Sequence, residues 1–384
     1  MTEQLPPNEQ SAAIPRQPDG NALILHFNGG IRAGQIDKDV WKLDPFLAGG
    51  KPVIKGPFSR AQLQAFSAKH KLIGIAFESM GWTKGSYHSS WTPINPKREN
   101  HFLGPADLWR NISSNITRGR TDEKLRGMVD PNHEKVAALL DDRAESERLA
   151  QSISLSLRSV DISIGQVADF YHEQLVDCMA LGALNGRRRA TSHDQTLYAH
   201  VHSFFMHLGA ARDYLAAFAA ASLGKDPEKL DSLGRLTEMI RSQHFETSPI
   251  LQLIRSKGYL APSATNAHRW EASGWLRDMG IMRNQYVHKR PYGEMFHERM
   301  GHARAIDSEH GVYRYFRPIV IDNNADQDLL DVISNHYREA TALFQDAAQV
   351  SGFNTAILSI TDKDIISLKV DRVRGTTTTT DANE

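Results

Sequence analysis

A short run in the C-terminal half of the chain combines residue types that could cleave a phosphodiester. Arg283, Asn284 and His288 fall within the stretch RNQYVH. An imidazole can act as general base or acid near neutral pH. A guanidinium is always charged and can bind phosphoryl oxygens in a bidentate manner. The set therefore predicts attack of the RNA 2′-hydroxyl on the adjacent phosphate, a scheme that requires no metal.

The spacing predicts that these side chains share one region of a helix. On an α-helix Asn284 and His288 are four residues apart and lie on the same face. The long side chain of Arg283 can reach over the same cleft. Lys289 and Arg290 follow directly and are candidates for contacts with RNA. The alternative is a helix end at which Arg283 forms a salt bridge and its basic neighbours complement the helix dipole.

The stretch resembles the signature of the HEPN superfamily (higher eukaryotes and prokaryotes nucleotide-binding domains), an Arg followed after four to six residues by His. Arg283 and His288 have the shortest of these spacings, and Asn284 takes the polar position that commonly follows the Arg. The resemblance extends over the helical pattern from about 145 to 350. It implies a homodimeric, metal-independent endoribonuclease in which Arg283 and His288 are catalytic and Asn284 supports them. Many members are toxins or antiphage effectors, so a neutralising or sensing partner protein is also expected.

Further residues are candidates for the same site. Some HEPN members carry a Tyr two residues after the His, where this chain has Arg290; Tyr292 comes two residues later, and its supporting role stays open. Asp213 could orient the imidazole or hold the guanidinium, or could form an ordinary salt bridge. Arg187 and Arg188 follow a predicted helix end. They could contact the RNA backbone, although a solvated basic run is also favoured at such a position.

Other groups of metal-binding residue types do not predict a metal site. His297 and His302 are five residues apart, hence about 140° around a helix, and cannot clasp one ion together. His200 and His207 lack a matching carboxylate. The single cysteine, Cys178, can form neither an internal disulfide nor a thiolate cluster. The sequence therefore predicts no metal and no cofactor.

The composition narrows the class of protein. The 384 residues include 45 Lys and Arg against 45 Asp and Glu. A protein that coats nucleic acid is usually strongly basic, so that class loses support, whereas an enzyme with one small basic cleft remains compatible. A helix needs about 20 consecutive apolar residues to span a bilayer, and no stretch of the sequence approaches that length. The polar N-terminus has no signal-peptide pattern. A cytoplasmic protein without membrane association is expected.

The elements that would position the motif are mostly helical. Helical periodicity predicts four long helices with short connections, as in an antiparallel bundle; they cover about 145–186, 194–224, 265–290 and 326–350. Earlier in the chain, short apolar runs separated by Gly and Pro predict a few strands, and Ser59 is expected to cap a helix that runs to about His70.

The predicted fold class is mainly α, with a C-terminal four-helix HEPN-like bundle and a smaller α+β N-terminal module. The predicted boundaries are a disordered lead-in at 1–20, an α+β module of unknown role at 21–130, the helical bundle at 131–352, a β-hairpin at 353–374 and a disordered tail at 375–384. The functional alternative to the endoribonuclease is a non-catalytic HEPN-like module that binds nucleotide, RNA or a protein partner.

Overall fold

A six-stranded antiparallel sheet forms the N-terminal part of the protein. The structure, a computed structural model, describes residues 21–83, 86–94, 103–128, 132–230, 232–266, 268–321 and 324–359. The strand order in the sheet is β4-β3-β2-β1-β5-β6. The strands are β1 (Asn21–Phe27), β2 (Arg32–Asp37), β3 (Val40–Ala48), β4 (Lys51–Ser59), β5 (Gly74–Thr83) and β6 (Ser86–Pro93).

One helix, α1 (Arg60–Lys69), follows β4 and precedes β5 in the chain. It begins at Ser59, whose hydroxyl oxygen accepts a hydrogen bond from the Gln62 backbone N–H. The Gln62 side chain in turn accepts one from the Ser59 backbone N–H. This reciprocal arrangement satisfies two N–H groups that the first helical turn leaves unpaired. The predicted helix from Ser59 to about His70 is thereby confirmed.

Helices and short strand pairs make up the rest of the described chain. The helices are α2 (Pro105–Arg126), α3 (His133–Asp141), α4 (Glu145–Ala180), α5 (Asp194–Ser222), α6 (Leu233–Met239), α7 (His244–Thr247), α8 (Pro249–Ser256), α9 (Gly274–Arg283) and α10 (Leu329–Val350). The strands pair as β7 (Leu260–Pro262) with β8 (Trp270–Ala272), β9 (His302–Asp307) with β10 (Val312–Phe316), and β11 (Pro318–Ile321) with β12 (Asn324–Asp328).

Helix α4 is the element around which the others pack. Its 36 residues carry apolar side chains on almost every face, and twenty of them are buried. Helices α2 and α5 lie along it, while the sheet contacts it through β3, β4 and β6. Trp109 of α2 donates its indole N–H to the carbonyl oxygen of Phe344 in α10 at 3.0 Å. Helix α4 thus packs against the sheet, and α2 and α5 pack against α4.

The 3₁₀ turn Asn28–Gly30 joins the sheet to this helical layer. Gly30 has a φ of +88°, and a Cβ there would lie 2.5 Å from the backbone oxygen of Tyr171 in α4. The Asn28 amide donates to Asp331 of α10 at 2.8 Å. Only glycine permits both this φ and this approach. The core consequently runs without a break from the sheet into the helices.

The predicted fold class is wrong, because the protein is a mixed α/β fold with 54% helix and 22% strand, not mainly a C-terminal helical bundle. The strand content was underestimated where strands lack a regular apolar alternation. Strand β4, for example, is exposed at most positions. The predicted helix at 265–290 was also too long, since β8 occupies Trp270–Ala272 and α9 begins only at Gly274.

Other sequence expectations lie at the edges of the described chain. The predicted disordered segments 1–20 and 375–384 lie outside the described residues, as does the predicted hairpin from residue 360 onward; residues 353–359 carry neither helix nor strand. Within the described residues, no helix combines the length and apolar character needed to cross a membrane.

Candidate functional site

The Arg283–His288 motif lies where α9 changes its helical geometry. Residues Asn284–Lys289 continue α9 as a π-helical turn, closed by a 2.7 Å hydrogen bond from the Arg290 N–H to the Gln285 carbonyl. Pro291 follows and has no N–H with which to extend the helix. Single π-turns of this kind are rare and occur frequently at functional sites.

The π-turn changes which motif side chains share a face. On a regular α-helix, residues five apart lie about 140° apart, so His288 would point away from Arg283. A turn with i→i+5 hydrogen bonds has more residues per turn and therefore rotates less per residue. The angular separation between Arg283 and His288 is therefore smaller than on a regular α-helix. The sequence reasoning, which assumed α-helical spacing throughout, did not anticipate this arrangement.

Arg283 is held by close packing between α9 and α5. A Cβ on Gly209 of α5 would lie 2.9 Å from the Arg283 Cγ and 3.0 Å from its Nε. That Nε is buried without a hydrogen-bond partner in the described part of the chain. The outer Nη1 donates to the Asn284 side-chain oxygen at 3.3 Å. The stem of Arg283 is thus fixed, whereas its tip reaches the surface beside Asn284.

Arg212 makes the corresponding contact in the other direction, from α5 to α9. A Cβ on Gly280 of α9 would lie 2.9 Å from Nη1 of Arg212 in α5. In each helix, a glycine therefore leaves room for an arginine side chain of the other helix to pack against it. Asp213, proposed as a supporting residue, accepts hydrogen bonds from Arg212 at 2.9 Å and from the Leu233 backbone N–H at 3.2 Å. Its hydrogen bonds go to neither motif residue, so it acts on the site only through Arg212 and the helix pair.

The remaining motif side chains face solvent. Asn284 and His288 are both exposed. Within the described residues, His288 forms no hydrogen bond or ion pair. The imidazole is thus uncommitted, as a group that must exchange protons with a substrate requires.

Tyr292, the other proposed supporting residue, is not available to a substrate. Its side chain is buried, and its hydroxyl donates to the Pro318 carbonyl at 2.8 Å. Burial raises the pKa of Tyr292 well above its usual value. The phenol therefore stays protonated and holds the segment after the π-turn against β11.

The four predicted RNA-contacting residues divide into exposed and anchored groups. Lys289, Arg187 and Arg188 are exposed. Arg290 is anchored, since its Nη2 donates to the Val320 carbonyl at 3.1 Å and lies 3.7 Å from the buried Glu298 carboxylate.

The loop that carries Arg187 and Arg188 is tied to the segment after the motif. Arg188 Nη1 lies 3.1 Å from His297 Nδ1. His297 directly precedes Glu298, which accepts from the Gly293 N–H at 3.0 Å and contacts Arg290. The short turn Phe296–Arg299 therefore connects the two basic segments, which are about 100 residues apart in sequence.

A cavity of about 700 Å³ lies elsewhere, between strands β5 and β6 and helices α2 and α4, and none of the motif residues line it. Sequence analysis missed it because its lining comes from four separate elements. No family model, curated protein or solved structure matches this chain.

Proposed function

We propose that this protein is a metal-independent endoribonuclease whose reacting groups are Arg283 and His288. The observation that carries the proposal is the π-turn, which reduces the angular separation between an exposed His288 and an Arg283 whose stem packs against Gly209. Asn284 links the two, because its side chain accepts from the Arg283 guanidinium. The resemblance to the HEPN signature supports the same assignment.

The chemistry needs only groups that this surface can supply. His288 would take the proton of an RNA 2′-hydroxyl as its oxygen attacks the adjacent phosphorus. The bond from phosphorus to the 5′-oxygen breaks, and that oxygen receives a proton from a conjugate acid. The products are a 2′,3′-cyclic phosphate and a 5′-hydroxyl end. Arg283 would stabilise the negative charge that builds on the phosphoryl oxygens.

The setting of this activity belongs to the proposal as well. A homodimer would bring a second His288 to the same RNA, so that one imidazole could act as base and the other as acid. The exposed Lys289, Arg187 and Arg188 would bind flanking phosphates. A cytoplasmic toxin or antiphage effector, held inactive by a partner protein, is the biological role that the resemblance implies.

The test is incubation of purified protein with total tRNA and mRNA in EDTA. Wild type should yield fragments with cyclic phosphate ends, and His288→Ala should yield none. His193→Ala is the matched control, because His193 is also exposed and makes no side-chain capping bond at the start of α5. Equal cleavage by wild type and His288→Ala would assign the activity to a contaminant and contradict the proposal.

A non-catalytic RNA-binding module is the second candidate, and the packing of Arg283 favours it. The stem of Arg283 is packed against Gly209 with its Nε buried, so only its tip remains for a phosphate, a contact that suffices for binding without cleavage. Under this candidate wild type binds RNA and leaves it intact in EDTA, and Arg283→Ala weakens the binding. A filter-binding measurement beside the cleavage assay separates the two functions.

A further inference from the structure

A second cluster of chemically competent side chains lies where α4 packs against the sheet. Among the described residues, His26 of β1, Glu78 of β5 and Asp169 of α4 each place a ligand atom within 4.8 Å of the others. His26 Nε2 lies 3.0 Å from the Glu78 carboxylate.

Sheet register brings the first two together. Strands β1 and β5 are antiparallel, with Ile24 opposite Glu78 and His26 opposite Ala76. His26 is two residues from Ile24, so it shares a sheet face with Glu78 as a diagonal neighbour. Asp169 reaches this face from α4, which packs across it.

The cluster is partly buried and incompletely paired. His26 is 1% exposed, and its Nδ1 has no hydrogen-bond partner within the described residues; the same holds for the Nε of the neighbouring Arg32. Arg32 forms an ion pair with Asp169 through Nη2. One guanidinium thus faces two partly buried carboxylates, which leaves an excess of negative charge beside the buried imidazole. Such a charge is costly without a further cation.

We propose that His26, Glu78 and Asp169 bind one divalent transition-metal ion. In tetrahedral coordination, ligand bonds of about 2.0–2.2 Å place donor atoms about 3.4 Å apart. His26 and Glu78 already meet this spacing at 3.0 Å. The three ligand atoms lie within 4.8 Å of one another, so rotation of the side chains needs to close the remaining distances by at most about 1.4 Å. One imidazole and two carboxylates suit Zn²⁺ or Mn²⁺. The His26 Nε2 and one oxygen of each carboxylate are the ligand atoms, and the ion takes the place of the His26–Glu78 hydrogen bond.

Three protein ligands leave a coordination position open, and the cavity supplies access to it. Glu78 and Asp169 both line the cavity of about 700 Å³, together with Trp91, whose ring lies 4.7 Å from that of His26. Open positions of this kind distinguish sites that bind water or substrate from closed structural sites. The ion therefore holds solvent on its cavity side. This site is separate from the Arg283–His288 surface and does not rest on the proposed function.

The test is titration of chelator-treated protein with Mn²⁺ alone and Zn²⁺ alone, followed by calorimetry and, for Mn²⁺, electron paramagnetic resonance. Wild type should bind one equivalent of at least one ion. Asp169→Asn and Glu78→Gln should weaken that binding by about 100-fold or more, since even loss of a partner behind a ligand costs 10–100-fold. Glu173→Gln should bind as wild type, because Glu173 is an exposed carboxylate one turn further along α4.

Two outcomes would overturn the site: no stoichiometric binding of either ion by wild type, or equal binding by wild type and Asp169→Asn. Circular dichroism and thermal unfolding show whether each variant folds. The wild-type measurement decides by itself if a variant does not fold. His288→Ala should keep full metal binding, and wild type should still cleave RNA in EDTA if the proposed function holds. Failure of one proposal therefore leaves the other intact.

Discussion

The Arg283–His288 surface and the cluster of His26, Glu78 and Asp169 are two proposed sites that the chain builds in different ways. Arg283, Asn284 and His288 lie within six residues of each other in the chain, and Asn284 and His288 face solvent. His26, Glu78 and Asp169 come from two strands and a distant helix, and only the fold brings them together. The first site was visible in the sequence because its residues are neighbours there, whereas the second depends on sheet register and on the packing of α4.

The difference also concerns what each environment does to charge. His288 is exposed to solvent, as the proposed proton transfer requires. Around His26, burial lowers the pKa of the imidazole and keeps it neutral, which is the form that binds metal. The same residue type thus suits proton transfer in one region and metal binding in the other.

The largest expected effect is the loss of RNA cleavage when the exposed His288 is replaced. His288→Ala should lower RNA cleavage in EDTA by about 10²–10⁴-fold, the usual contribution of a general acid or base. Cleavage rates and fragment ends are measured on a labelled oligoribonucleotide. Thermal unfolding of the variant should match wild type, since the side chain is exposed and unbonded. A loss of cleavage accompanied by unfolding would not support a catalytic role.

The proposed metal site of His26, Glu78 and Asp169 can be tested by removing the neighbouring positive charge of Arg32. Arg32→Gln removes the cation paired with Asp169, so the metal-free variant should lose about 1–2 kcal/mol of unfolding free energy in urea, given that Asp169 is partly exposed. Saturating Zn²⁺ or Mn²⁺ should restore most of that loss because the ion replaces the missing charge.

The control for this experiment is Arg148→Gln. Its partner Glu145 lies three residues away on an exposed surface of α4, and such pairs contribute about 0.5 kcal/mol or less. Metal should not change the stability of this control relative to wild type. A recovery with metal in both variants would point to binding elsewhere on the chain.

A smaller effect on RNA cleavage is expected from a substitution at the contact between α5 and α9. Gly209→Ala places a methyl group 2.9 Å from the Arg283 Cγ, so the guanidinium must shift by about half an ångström. Because a misplacement of about 1 Å can cost 100-fold, cleavage should fall about tenfold. Gly234→Ala in α6 is the control, since a Cβ there meets nothing within 4 Å. Unchanged cleavage by Gly209→Ala would mean that the Arg283 position is not critical.

The smallest effect concerns a histidine that belongs to neither site. His336 accepts a 2.9 Å hydrogen bond from the Trp275 indole through Nδ1, and burial lowers its pKa to about 4. The unfolded chain takes up a proton near pH 6.5 and the folded protein does not. This contribution to stability is therefore complete above pH 6.5 and is lost as the pH falls toward 4.

Urea unfolding at pH 7 and pH 5 measures that contribution. Wild type should lose about 1–2 kcal/mol more than His336→Asn between these two values. Between pH 7 and pH 8 the two proteins should change in parallel, because the imidazole is neutral in both states. Equal losses at pH 5 would show that burial does not control this side chain.

The sequence predicted helices well where a continuous apolar repeat lies within one helix. The apolar repeats predicted α4, α5 and α10 to within a few residues, because each helix buries a long, continuous pattern. It failed for the long helix predicted at 265–290, where the strand Trp270–Ala272 pairs with β7 instead. Strand pairing is a contact between separate segments, and neither segment encodes it alone.

The same limit applies to the sites. The types and spacing of Arg283 and His288 predicted a reactive pair, but no pattern foretold the π-turn that changes their relative orientation. Tyr292 looked available and is buried, since its hydroxyl bonds to a strand 26 residues later. His26 and Glu78 are 52 residues apart, and only the register between β1 and β5 reveals them as neighbours.

The close contact between the Asn28–Gly30 turn and α4 has a consequence for synthesis on the ribosome. His172, which hydrogen-bonds to the Gly30 carbonyl, is made 142 residues later. At about 5–20 residues per second, the first strands wait roughly 7–30 seconds for the helix that covers them. During that interval the inner face of the nascent sheet is exposed to chaperones and to other nascent chains. Crowded translation at high expression should therefore favour aggregation of this protein before α4 has emerged.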